Sequence, residues 1–394
     1  MAEWVECLTP ELMKSWVRGK NCPDPGLNQG PLDLQSNALP TELSRQKWPT
    51  LKRMFNFKHI VIIWTKCLIF FTQAKIIELP SYNVDRNAIS MSGFSSGGFM
   101  TSQFHFSMSK IIMGSGIIAG GPYHCASSIT LDPPNRYIHY MNQPDTMDVN
   151  LLINITKENE KQGLIDPLSY LADDKVYIIA GSQDTLIAPG TVEKTLQVYQ
   201  NFTKAGNIKF EYVGSEHGFP TVNYGGECAQ VNDVLMNSCN FSTAHKILNH
   251  IYGDLQSSGN SDGTLFKFNA TKFSNGTEKS MHDLGLDDTA YVYVPSECEN
   301  EYIVCRLHVV LHGCTQDAST IDDVFVSNAG YNEIGAANNI IMLYPQAKIM
   351  EDINPYGCWD WIGDTGPYYA TNKGPHIVTI YNMMKQLTGD DLVF

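Results

Sequence analysis

The sequence predicts an α/β fold, a mainly parallel central sheet flanked by helices and wound in circularly permuted order. Three observations carry that expectation. From residue 75 onward, short β-branched runs alternate with helical patterns, as parallel strands joined through helices require. The turn Gly93-Phe94-Ser95-Ser96-Gly97 stands at a strand-to-helix corner. A second turn, His312-Gly313-Cys314, closes a strand far downstream of it. In an ordinary α/β-hydrolase the strand carrying the oxyanion turn precedes the nucleophile. Here it follows, which predicts a circularly permuted α/β-hydrolase.

The elements follow in order. Ala88-Ile89-Ser90-Met91 reads as a short strand, and Gly98 through Met108 as the helix behind the turn. Ile111 to Ala119 reads as a strand closed by Gly120-Gly121-Pro122. Lys175–Ala180 and Lys209–Val213 are two more, with a helix from about Thr191 to Ala205 between them. The polar stretch 256–288 reads as a connector. Strands resume at Ala290–Val294, Ile303–Leu311 and Ile340–Leu343, and a helix from about His376 to Leu387 follows. No repeat is present, and one catalytic domain over 75–394 is expected.

Hydrophobic residues make up 43% of the 394-residue chain and charged ones 17%, a globular balance. The net charge of −14 argues against nucleic acid as a partner, because phosphate binding needs a basic surface. Residues 54–74 resemble a targeting signal: Met54 opens a short basic stretch, an apolar run from Ile60 to Phe71 follows, and Thr72-Gln73-Ala74 offers small residues for cleavage. The run is too short for a helix across a bilayer of about 30 Å, so no stable membrane span is expected. Met54 reads as the working start, and 1–53 as a poorly ordered extension without a catalytic part.

Two further features point to secretion. Five Asn-x-Ser/Thr sequons occur, at Asn154, Asn201, Asn240, Asn269 and Asn275. Seven of the ten cysteines lie beyond residue 75, as suits disulfides in an oxidising compartment. A metal site is not expected. No Cys-x-x-Cys pair exists, and His308 and His312 fall on a strand, where four residues span roughly 13 Å. Gly114-Ser115-Gly116-Ile117-Ile118-Ala119 imitates a dinucleotide fingerprint, but it runs into a strand and Gly-Gly-Pro. No cofactor is called for.

The Gly-x-Ser-x-Gly turn needs small residues two before and two after the serine, because a strained corner exposes the hydroxyl. Ser95 is therefore the candidate nucleophile, and Ser96 offers its backbone N–H at the amino end of a helix. A serine needs a base to take its proton, and the base needs a carboxylate to fix its tautomer. Asp184 and His217, each on a loop after a strand and in acid-then-base order, fill those roles. Asp173 and Asp174 precede their strand, and His105 and His124 lie too near the serine in sequence. Glu216 reads as a solvated charge. Cys314 offers the second oxyanion N–H, with His312 holding its turn.

Four stretches resemble the secreted poly(3-hydroxybutyrate) depolymerases, in their permuted fungal form: Gly93 to Met100, Ala119 to Cys125, Leu311-His312-Gly313-Cys314-Thr315-Gln316, and Asn354-Pro355-Tyr356-Gly357-Cys358-Trp359-Asp360-Trp361. The likeness extends over about 80–394. It implies a serine esterase that cuts polyesters of short 3-hydroxy acids, with the roles given above for Ser95, Asp184, His217, Ser96 and Cys314. It also implies disulfides Cys228–Cys239, Cys298–Cys305 and Cys314–Cys358. Cys125 is left over, since family members often carry another cysteine where this chain has Tyr140-Met141. Trp359 or Trp361 is implied to pack on the polymer, while most tryptophans are core aromatics. The same apparatus would serve a feruloyl or acetylxylan esterase, and a non-catalytic secreted binding protein on this scaffold is the remaining alternative.

Overall fold

A computed structural model describes residues 76–127, 141–257, 262–389 and 392. The expected extension over 1–53, the signal-like segment 54–74 and Tyr140 lie outside them. In chain order the elements begin with β1 (Val84–Phe94), α1 (Ser96–Ser107), β2 (Gly114–Ile118), α2 (Val149–Lys161), β3 (Lys175–Gly181), α3 (Pro189–Tyr199) and β4 (Ile208–Val213). Three short strands follow, β5 (Phe219–Thr221), β6 (Gly226–Glu227) and β7 (Met236–Ser238), then α4 (Thr243–Tyr252). The second half holds β8 (Gly263–Asn269), β9 (Thr289–Pro295), β10 (Cys305–Leu311), α5 (Ala318–Ile321), α6 (Val324–Asn328), α7 (Tyr331–Asn338), β11 (Ile340–Tyr344) and α8 (Pro375–Leu387).

Eight strands form one sheet in the order β4-β3-β2-β1-β10-β11-β9-β8. Neighbours from β4 to β11 pair in parallel, whereas β9 is antiparallel to both β11 and β8. Counted from β8, the strands run first, second, fourth, third, fifth, sixth, seventh, eighth. The permutation is thus visible in space: β10 becomes the third strand, and the loop after the third strand supplies an oxyanion amide in this fold class. The polar stretch 256–288 was expected to be all connector, but it contains β8. Apart from one parallel bridge between Phe268 and Ile77, that edge strand pairs only with β9, and most of its residues are half-buried, with Thr264 exposed and Phe268 buried, so polar residues interrupt the apolar ones.

The inner strands are apolar because both faces are covered. On β10, Leu307, Val309 and Leu311 enter one core layer and Val310 the other, as the two-residue period dictates. The helix α1 is buried throughout its length and carries no polar face. Its hydroxyls turn inward instead: Thr101 Oγ1 donates to the Gly97 carbonyl at 2.8 Å and Ser107 Oγ to that of Gln103 at 2.7 Å. The more ordinary α4 buries Ala244, Ile247, Leu248 and Ile251 on one stripe, and the Ser242 hydroxyl accepts from His245 N–H at its start.

Cys228–Cys239, Cys298–Cys305 and Cys314–Cys358 are disulfide-bonded, as the resemblance implied. Cys125 is buried, and burial pushes its thiol pKa up. Of the sequon asparagines, Asn154, Asn201, Asn240 and Asn275 are exposed and Asn269 is half-buried. Among the described residues no helix is long and apolar enough to cross a membrane.

Candidate active site

The strand β1 runs straight into the corner at Ser95, whose φ of 54° and ψ of −121° lie where a non-glycine residue is strained. The flanking glycines explain how the corner closes. A Cβ on Gly93 would fall 2.1 Å from the Gly97 carbonyl oxygen, and one on Gly97 would fall 2.4 Å from that of Leu311. The corner is fixed by Ser95 N–H, which donates to the Ile118 carbonyl at 2.9 Å, and by Phe99 N–H, which donates to the Ser95 carbonyl at 3.0 Å.

Asp184 and His217 reach the serine from loops after the adjacent strands β3 and β4, which pair as far as Gly181 and Val213. His217 Nε2 lies 3.0 Å from Ser95 Oγ and its Nδ1 lies 2.8 Å from Asp184 Oδ2. The other Asp184 oxygen accepts from Leu186 N–H at 2.9 Å and Ile187 N–H at 2.7 Å, so the carboxylate cannot swing. With Asp184 accepting at Nδ1, that nitrogen carries the proton and Nε2 is left to accept from the serine. Phe94 packs on the imidazole, with ring centroids 4.9 Å apart. The ring is fully buried, and the serine keeps 5% of its surface exposed. Chemically, this is a hydroxyl with its proton acceptor already in place, and the acceptor's orientation already fixed.

The amide donors come from two directions. Ser96 is the first residue of α1, and Cys314 follows β10; neither N–H has an acceptor among the described residues. Gly313 abuts Ser95, since a Cβ there would come within 3.1 Å of Ser95 Cβ. Its own N–H donates to Gln316 Oε1 at 2.8 Å, and Gln316 Nε2 donates to the Val234 and Leu235 carbonyls, both at 2.9 Å. His312 braces the same turn: Nδ1–H donates to the Gly313 carbonyl at 2.7 Å, and Nε2 accepts from Ala347 N–H at 3.1 Å. Burial lowers the pKa of His312 and keeps it in this neutral form. The Cys314–Cys358 disulfide ties the turn to the segment holding Trp359.

No protein-family model matches the chain. The poly(3-hydroxybutyrate) depolymerase of Delftia acidovorans is 32% identical over 318 residues, which cover 79% of this chain and 62% of that one. The polyhydroxybutyrate depolymerase of Talaromyces funiculosus is 33% identical over 351 residues, covering 84% of this chain and 98% of its own length. The chain belongs to the polyhydroxybutyrate depolymerase family. Two solved structures agree: a PHB depolymerase from Penicillium funiculosum and a PHB depolymerase serine-to-alanine variant complexed with an R3HB trimer. Each has a TM-score of 0.72 at 31% identity over 79% of this chain and 99% of that one. The chain therefore spans under two thirds of the bacterial relative but nearly the whole of the fungal ones.

Beside this candidate site, Trp359 and Trp361 do not present their rings to solvent. Trp359 Nε1–H donates to the His312 carbonyl at 3.1 Å, and Trp361 stacks on Phe99 with centroids 4.1 Å apart. Asp360 between them accepts from the N–H groups of Ile362, Gly363, Asp364 and Thr365, folding the loop so that both indoles point inward. Packing thus accounts for both rings, and stacking on a polymer would require them to move. Glu216 departs furthest from expectation. It is buried, not solvated, and one of its oxygens accepts three hydrogen bonds. His105 and Asp174 pair with each other at 3.1 Å in a separate buried network with Tyr199 and Ser115. A surface hollow of about 330 Å³ beside Leu286, Lys348 and Ile353 shares no lining residue with the triad.

Proposed function

We propose that this chain is a secreted serine esterase that hydrolyses poly(3-hydroxybutyrate) or related short 3-hydroxyacid esters. The observation that carries the reading is the unbroken hydrogen-bonded relay from Asp184 through His217 to Ser95 at a strained corner beside two amides that lack an acceptor among the described residues. Ser95 Oγ attacks the ester carbonyl as His217 Nε2 takes its proton. The oxyanion that forms is held by the N–H groups of Ser96 and Cys314. His217 then gives its proton to the departing 3-hydroxy oxygen, leaving an acyl-enzyme on Ser95. Water, deprotonated by the same imidazole, releases the acid. No step needs a metal or cofactor. The names of the relatives favour the polyester, and the three disulfides and the sequons favour export.

Purified wild-type protein and Ser95→Ala, assayed on short-chain aryl esters, poly(3-hydroxybutyrate) film and feruloylated or acetylated xylan, test this reading. Wild-type activity on aryl ester and film, lost in the variant, is the expected result. Equal activity of the two proteins on every substrate would remove the mechanism. Turnover of the carbohydrate esters without the film would leave the mechanism and replace the substrate.

A further inference from the structure

We propose that Glu216 is the positioning residue that locks the acid loop to the base loop, an inference that rests on the esterase reading above. Asp184 and His217 stand on different loops, so their 2.8 Å contact is only as well placed as the loops that deliver it. Glu216 joins the two. Its Oε1 accepts from Thr185 N–H at 2.7 Å and from Thr185 Oγ1 at 2.9 Å, directly after the acid. The same oxygen accepts from His217 N–H at 3.0 Å, the amide of the base itself. One atom therefore fixes the main chain beside both partners.

The main chain of Glu216 is fixed in turn. Its N–H donates to the Cys228 carbonyl at 2.9 Å, and its carbonyl accepts from Asn237 Nδ2 at 3.1 Å. Asn237 is fully buried and also donates to the Cys228 carbonyl, and the Cys228–Cys239 disulfide closes this small sheet of β5, β7 and β6. Gly218 leaves room for it, since a Cβ there would lie 2.5 Å from Asn237. The small sheet thus presents one carboxylate to the triad, and the carboxylate hands its position on. A displacement of about 1 Å in such a relay costs on the order of 100-fold in rate. An amide in place of the carboxylate keeps an oxygen that can accept the same bonds.

The test compares Glu216→Ala, Glu216→Gln and Ser95→Ala in the full chain. Turnover of a soluble aryl butyrate is measured together with labelling by an aryl fluorophosphonate, whose end point counts folded sites and whose rate reads their geometry. Glu216→Ala is expected to label to the wild-type end point, but with labelling rate and kcat lowered on the order of 10- to 100-fold and KM within about threefold. Glu216→Gln is expected to recover to within about threefold. An alanine variant within twofold of wild type overturns the proposal, as does a glutamine variant no better than alanine. If the alanine variant labels to a low end point, Thr185→Val decides, since it removes one of the three donors and keeps the carboxylate. Slower labelling supports the lock, and an unchanged rate overturns it. Activity surviving in Ser95→Ala would sink the esterase reading instead, whatever Glu216 does.

Discussion

The segment from β1 to α4 and the segment from β8 to α8 contribute to the site in different ways. The first delivers every side chain of the relay, Ser95, Asp184 and His217, held by hydrogen bonds between loops. The second delivers one main-chain donor, Cys314 N–H, and supports it with a disulfide, His312, Gln316 and the indole of Trp359. They meet along the β1–β10 ladder, where Gly93 lies opposite Leu311. Permutation therefore separates Ser95 and His217, the groups proposed to exchange a proton, from an amide proposed only to stabilise charge. Losses in the first segment should be steeper than losses in the second.

The sharpest test is Ser95→Ala, expected to lower kcat on soluble ester by at least about 10⁴-fold with an unchanged melting temperature. Asp184→Asn should follow at about 10⁴-fold, because the amide leaves the imidazole in the wrong tautomer. Steady-state kinetics check both, and a loss under tenfold in either would erase the division. In the second segment, Cys358→Ser frees the turn that carries Cys314 N–H. It should cost roughly 10- to 100-fold in kcat, less than removal of the nucleophile. Denaturant titration should also show about 2–4 kcal/mol of lost stability. A kcat loss matching Ser95→Ala would show that the donor and the relay cannot be separated.

The smallest expected effect is on stability and concerns pH. Burial lowers the pKa of His308 from 6.5 to about 3, while its Nδ1 and Nε2 lie 2.6 Å and 2.8 Å from Ser90 Oγ and Ser92 Oγ. His312 and His376, in the same segment, are shifted down by the same cause. The unfolded chain then binds protons that the folded chain refuses, so stability rises with pH between those two values. Full stability is expected above about pH 7, with a loss on the order of 2 kcal/mol from His308 by pH 5. Calorimetry across that range should show the midpoint falling on acidification, and His308→Asn should flatten the slope. A midpoint that rose on acidification would contradict the neutral, buried assignment.

The sequence made the relay legible for a physical reason. A strained corner demands its glycines nearby in the chain, and acid and base sit where strands end. The long apolar strands were legible because burial on both faces writes a continuous run. β8 was not, since a largely half-buried edge strand with Thr264, Lys267 and Asn269 among its apolar residues resembles a linker. Glu216 was hidden for a related reason: the small-sheet strands beside it, whose Asn237 holds its main chain, are two or three residues long, too short to leave a period. The cysteine pairs were legible only through resemblance, because spacing does not say which sulfurs meet in space.

In the proposed mechanism Cys314 combines two functions that most residues keep apart. The group it offers to a substrate belongs to the peptide unit and would be the same with nearly any side chain at that position. Its sulfur, bonded to Cys358, holds that peptide unit in place. The chemical demand on position 314 is therefore a demand for a tether. Replacing that sulfur is expected to leave the proposed donor intact in kind and lost in place, a defect that would show in rate before it showed in the identity of the product.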